Sequence, residues 1–152
     1  MKASQECISL IMNFEHYRSE PYLCPAGKWT IGYGHTAGVT PIMAPVTMQK
    51  AIELLYEDLE PCEKAIYANI KTPLVQSQFD ALCSFIFNVG VGNFRKSTLL
   101  KLINNGEMEE ASCEFGKWVH CNGKVLNGLV IRRESERILF TRDMSQKGDN
   151  HA

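Results

Sequence analysis

From Glu15 to Thr36 the chain reads E-H-Y-R-S-E-P-Y-L-C-P-A-G-K-W-T-I-G-Y-G-H-T, and Glu15, Cys24, Thr30 and His35 carry the atoms in it best suited to moving protons. A carboxylic acid can protonate a departing oxygen. A thiolate can take a proton from water or attack carbon itself, and a threonine hydroxyl can hold a water in place. Glu15 fits the first role, Cys24 the second, and Thr30 the orienting of water. A thiol with an ordinary pKa of about 8.5 is a poor base near neutrality unless its surroundings favour thiolate. His35 also invites a Cys–His hydrolase reading, a thiol-dependent peptide hydrolase, although no orienting Asn or oxyanion motif accompanies it.

The elements around these residues follow from periodicity and breakers. Ile8, Ile11, Met12 and Phe14 roughly keep helical spacing after a candidate cap at Ser4 and the acidic Glu6, which predicts a helix over 4–14 ending near Glu15. Downstream, Pro21, Pro25, Gly27, Gly32 and Gly34 forbid a long helix, while Trp29, Thr30, Ile31 and Tyr33 favour extended chain. The acid therefore stands at a helix-to-sheet junction, where the negative end of the helix dipole and burial against Phe14 or Trp29 suit a general acid. Cys24-Pro25-Ala26-Gly27 has the residues of a type I turn, which should hold the sulfur beside a cleft.

Farther on, Thr40–Val46 reads as a loop and Thr47 as a helix cap. Ala51, Ile52, Leu55 and Leu59, then Ala65, Ile66 and Ile70, predict a long helix that Pro61 should kink or split. Val75–Val89 reads as a core helix through Phe79, Leu82, Cys83, Ile86 and Phe87, ended by Gly90 and Gly92. Ser97 is a candidate cap for a short helix through Ile103, with Asn105-Gly106 as its stop, and Glu109–Trp118 suggests another helix. Asn122-Gly123 signals a hairpin or tight turn, and a final helix from Leu129 to about Arg142 sets Leu129, Arg132/Arg133, Glu136 and Leu139/Phe140 at helical spacing. The polar tail Ser145–Ala152 should be frayed.

The chain has 152 residues, enough for one core or for two small lobes sharing a long helix. A formal net charge of −1 provides no global attraction to an anionic polymer, so nucleic acid is not the indicated partner. Lys117, Lys124, Arg132, Arg133, Arg137 and Arg142 nevertheless crowd the C-terminal part, as either a solvated basic helix face or a surface drawn to an anionic wall polymer. No stretch is apolar enough to span a membrane, and no basic leader with a cleavage site is present, so the chain is expected to stay in the cytoplasm of the cell that makes it. The six cysteines are not needed as staples in a chain this apolar. Cys83 reads as a buried small hydrophobe, and Cys113, His120 and Cys121 lack the fourth ligand and paired spacing of a zinc site, so no metal or cofactor is expected.

Glu15, Cys24 and Thr30, followed at once by I-G-Y-G-H-T, together resemble the catalytic signature of the phage-type lysozymes, the endolysins of glycoside hydrolase family 24. Gln78–Gly90, Ser97–Leu100 and Gly128–Leu139 resemble later blocks of the same family, in order. The resemblance implies an α+β, two-lobed, mainly helical fold with a small antiparallel sheet. The small lobe would cover about 15–46, the connecting helix about 47–70 and the helical lobe about 73–143, with helix 4–14 packed on it. It implies hydrolysis of the β-1,4 bond between N-acetylmuramic acid and N-acetylglucosamine in peptidoglycan, with inversion at the sugar carbon. Glu15, Cys24 and Thr30 would be catalytic, and Phe87, Asn88 and Ser97 would lie at the substrate. His35 would pair with Asp58 on the connecting helix as a structural ion pair. A monomer acting on the wall in the periplasm is expected, after release from the cytoplasm by a holin or another factor. The family pattern commonly has Asp where this chain has Cys24, which leaves a catalytically inactive wall-binding or regulatory module as the alternative.

Overall fold

The computed structural model describes residues 1–144; the tail Ser145–Ala152 lies outside the described residues. The elements run α1 (Gln5–Glu15), β1 (Arg18–Leu23), β2 (Trp29–Gly32), α2 (Met48–Asn69), α3 (Gln76–Val89), α4 (Val91–Lys96), α5 (Thr98–Asn104), α6 (Met108–Glu114), a 3-10 turn (Phe115–Lys117), β3 (His120–Cys121), β4 (Lys124–Val125) and α7 (Asn127–Thr141). The fold is mainly helical with two small antiparallel sheets, an α+β architecture.

α1 forms because Cys7, Ile8 and Ile11 recur on one buried face. Ser4 stands at its N-cap but does not cap it through its side chain. Instead Asp80 of α3 accepts the Ser4 amide at 2.9 Å and also bonds the Ser4 hydroxyl. The capping group thus comes from a neighbouring helix, and it ties α1 to α3. β1 and β2 pair Tyr22 with Thr30 and Leu23 with Trp29, with a bulge between Arg18 and Tyr22 that accommodates Pro21. Ile31 and His35 then exchange two backbone hydrogen bonds of 2.9 Å, which folds Gly34 back toward the end of α1.

Thr47 caps α2 by accepting the Lys50 amide at 3.1 Å. Pro61 does not split α2, which runs unbroken for 22 residues. Pro61 and Glu57, whose carbonyl it leaves free, both face solvent, so water can satisfy the missing bond. α2 packs on β2 and on α3, and α3 is the central helix, touching α1, α2, α4 and α7. Gly90 ends α3, whereas Gly92, expected to do the same, lies inside the short helix α4. Phe85, Phe94, Phe115 and Phe140 fill the core beneath it, with Phe85 and Phe115 edge to face at 5.3 Å.

Asn122-Gly123 forms the turn of the β3–β4 hairpin, both residues with positive φ (53° and 78°) as a type I′ turn requires. Of the C-terminal basic residues, Lys117, Lys124, Arg137 and Arg142 are solvated, but Arg132 and Arg133 are not. Arg132 and Arg133 are buried with Glu136 on the inner side of α7, while Arg137 pairs with Glu134 and Arg142 with Glu6. Charge counting missed this because Arg132, Arg133 and Glu136 share helical spacing with the buried Leu139 and Phe140. No helix among the described residues is long and apolar enough to cross a membrane.

Candidate active site

A cleft of about 840 Å³ separates the β1–β2 segment from the helical part. It is lined by Glu15, Cys24 and Thr30 together with Phe87, Asn88 and Trp118. A smaller hollow of about 400 Å³, beside Lys2, Glu57, Glu60 and Glu63, holds none of the residues singled out for chemistry.

Glu15 is the last residue of α1, so its side chain leaves the helix just where the chain turns into the sheet. Arg132 donates to its Oε2 at 2.7 Å. The opposite oxygen faces Gly34, where a Cβ would lie 2.7 Å from Oε1. Sequence reasoning set Arg132 in a basic stretch and at helical spacing with Glu136 and Leu139, but not against Glu15. Phe14 does border the acid, but it does so with the Arg132 guanidinium 5.7 Å above its ring. Tyr22 also lines the cleft; burial first, then the neighbouring Glu15 charge, push its phenol above the ordinary range.

Cys24 sits at the start of a turn closed by the Gly27 amide donating to the Cys24 carbonyl at 2.8 Å, while the Cys24 amide donates to Lys28 at 3.0 Å. The sulfur is therefore held at the cleft, only partly covered. Burial alone would raise this thiol. Hydrogen bonds from the Lys28 backbone, the Thr30 side chain and the turn amides outweigh it, and the thiol lies below its ordinary value. Thr30 is buried, and its hydroxyl donates to the Lys28 carbonyl at 2.9 Å while lying beside the Cys24 sulfur. One hydroxyl proton can serve only one of these acceptors at a time.

His35 is turned away from this chemistry. Its Nδ1 meets Asp58 Oδ2 at 2.8 Å, joining the sheet segment to α2, and it does not line the cleft, so no Cys–His pair with Cys24 forms. Asn88 is exposed at the cleft and bonds Arg133 through its Oδ1. Phe87 is half-buried there. Ser97 does not reach the cleft. It is buried, donates to the Phe94 carbonyl at 2.7 Å and accepts the Leu100 amide at 3.1 Å, so both faces of its hydroxyl belong to the α5 cap.

The hairpin supplies residues at this cleft that had been weighed only as a metal site. His120 and Cys121 line it, and Asn122 at the tip reaches across to the Pro25 carbonyl at 3.4 Å. The hairpin signal was readable in Asn122-Gly123; its place over the Cys24 turn was not. Among the described residues no group of three or more His, Cys, Asp or Glu side chains is arranged to hold a metal ion.

The family model for phage lysozyme matches residues 12–136. An endolysin of Acyrthosiphon pisum secondary endosymbiont phage 1 is 42% identical over 144 residues, covering 92% of this chain and 98% of the relative. The muramidase domain of SpmX from Asticaccaulis excentricus superposes with a TM-score of 0.83 at 41% identity, over 91% of this chain and 97% of that one. The active form of the P1 phage endolysin Lyz superposes with a TM-score of 0.84 at 31% identity, over 95% of this chain and 87% of that one. With a cleft that unites a helix-end glutamate, a turn cysteine and a strand threonine, and with this breadth of similarity, the chain belongs to the phage lysozyme family.

Proposed function

We propose that Glu15, Cys24 and Thr30 are the catalytic residues of a peptidoglycan-degrading muramidase that hydrolyses the β-1,4 bond between N-acetylmuramic acid and N-acetylglucosamine. The chain is a lysozyme, a glycoside hydrolase of the endolysin type. The observation that carries the residue roles is the meeting of all three in one open cleft of about 840 Å³.

In this reading Glu15 delivers its proton to the glycosidic oxygen as the bond to the anomeric carbon breaks. A water beside Thr30 attacks that carbon and passes its proton to the Cys24 thiolate, whose formation the hydrogen bonds of the turn ease. Bond breaking and bond making then leave one new hydroxyl on each fragment. Asn88 and Phe87, which line the same cleft, contact the sugars by hydrogen bonding and by ring packing. The enzyme works as a monomer on the cell wall, and a holin or another release factor delivers it there.

Loss of turbidity in chloroform-treated Gram-negative cells, followed by mass and anomer analysis of soluble products, tests this directly. Glu15→Gln keeps the shape of the side chain but cannot donate the proton, and should lower the rate about 100-fold or more with the fold intact. A Glu15→Gln enzyme within a few-fold of wild type sinks the assignment. Products cut at a peptide bond would do the same for the reaction class.

A further inference from the structure

Glu136 is completely buried on α7, and each of its oxygens is engaged. Oε1 accepts from Arg133 Nη1 at 2.7 Å; Oε2 accepts from Arg132 Nε at 3.3 Å and from the Ser84 hydroxyl of α3 at 2.5 Å. The two arginines then reach outward in different directions. Arg132 donates to Glu15 on α1 and, through Nη2, to the Ser84 carbonyl at 3.1 Å. Arg133 donates to Asn88 on α3 and lies 5.2 Å above the Phe85 ring. Neither guanidinium is free to swing, because each is held at its inner edge by the same carboxylate.

We propose that Glu136 is a positioning residue for the lysozyme reaction, orienting Arg132 against Glu15 and Arg133 against Asn88 so that one buried carboxylate fixes two residues that line the cleft. A buried ion cluster adds little net stability over well-packed apolar side chains, so stability alone does not account for it. Fixed geometry does: misplacement of a reacting group by about 1 Å can cost on the order of 100-fold in rate. The spacing supports the same view, since positions 132, 133 and 136 lie on one face of α7 and can share a single acceptor. The inference rests on the reading of Glu15 as the acid.

The charged and titratable groups around Glu136 are Arg132 and Arg133 of its own helix and, beyond them, Glu15 of α1 with Tyr22 of β1 beside it; α3 contributes only the neutral Ser84 and Asn88. Taking away the Glu136 charge leaves Arg132 acting on Glu15 alone, which favours the carboxylate. In Glu136→Gln the alkaline limb of the kcat/KM profile, measured on soluble peptidoglycan fragments, should therefore move toward acid by about half a unit or more. The rate at the optimum should fall about tenfold or more as the acid loses its fixed position. Ser84→Ala, which keeps every charge, should move the limb in the same direction by less. Glu134→Gln removes an equal charge from the exposed side of α7 and should change neither. If Glu136→Gln fails to fold, Ser84→Ala decides. Folded variants whose alkaline limb stays at the wild-type position, with any rate loss matching only the active fraction, overturn the proposal. Glu15→Gln separates the two claims: an active Glu15→Gln enzyme removes the underlying reading, whereas an inactive one beside an unshifted Glu136→Gln removes this inference only.

Discussion

Gly34 and Glu15 approach so closely that a Cβ built on Gly34 would stand 2.7 Å from Oε1 and 2.9 Å from Cδ of the acid. The backbone at Gly34 also has φ of +77°, a conformation that side chains with a Cβ rarely adopt. Glu15 cannot simply retreat, because Arg132 holds its other oxygen at 2.7 Å. The I-G-Y-G-H-T stretch is thus shaped around the acid it follows by nearly twenty residues.

Gly34→Ala should accordingly lower activity about 100-fold by displacing the acid, and lower stability by about 1–2 kcal/mol through the strained backbone. Initial rates on peptidoglycan and thermal melts measure the two effects separately. A Gly34→Ala enzyme within about threefold of wild type would show that the acid tolerates displacement, contrary to the positional sensitivity assumed here.

Ser97 offers a test of a residue that the cleft does not use. Ser97→Ala removes the α5 cap and should cost about 1 kcal/mol in stability while KM for soluble fragments stays unchanged. A rise in KM without loss of stability would restore Ser97 as a substrate contact.

The His35–Asp58 contact ties the sheet segment to α2, and both side chains are mostly shielded from solvent. His35→Gln or Asp58→Asn should each destabilise by about 1–3 kcal/mol, a drop of roughly 3–10 °C in melting temperature for a chain of this size. The double variant should lose less than the sum of the two, with a coupling of about 1 kcal/mol. Strict additivity of the melts would mean that the two groups do not act as a pair.

Helices α2 and α3 were legible because their apolar periodicity is long and their ends carry Thr47 and Gly90, which act through local chemistry. The same holds for the hairpin at Asn122-Gly123. Glu15, Cys24 and Thr30 were legible in one short stretch, and Phe87 and Asn88, which also line the cleft, only through the family resemblance. Arg132 lies 117 residues from Glu15, and nothing local to either announces the other. Asp80 capping α1 from α3 escaped notice for the same reason: Ser4 looked sufficient on local grounds, yet its side chain is turned onto Asp80. In α7 the helical spacing of Arg132, Arg133 and Glu136 with Leu139 and Phe140 was legible, and the whole set is buried. Buried cations of that kind need an anion, and this was the available clue to the network.

Cys24 should differ from the buried Cys62 and Cys83 in a way that can be measured without turnover. Its thiol lies below the ordinary value and is partly exposed, whereas burial pushes Cys62 up to about 12, and a hydrogen bond to Cys7 together with burial pushes Cys83 up as well. Since thiolate is the reactive form, iodoacetamide at neutral pH should label Cys24 while Cys62 and Cys83 stay unlabelled until the chain unfolds. Peptide mass mapping over a pH series reads this out, and labelling should persist to lower pH than for a free thiol. If the same thiolate takes the proton from water, activity must fall as pH drops through its folded value, because the base is then protonated. Cys24→Asp replaces the thiol with a group whose ordinary pKa is about 3.9, so the acid limb of the rate profile should move to lower pH with activity retained. Cys24→Ala should lose most activity. Near-normal turnover in Cys24→Ala, with cell-wall products unchanged, would make the thiol a bystander and leave Thr30 with its water as the second catalytic element.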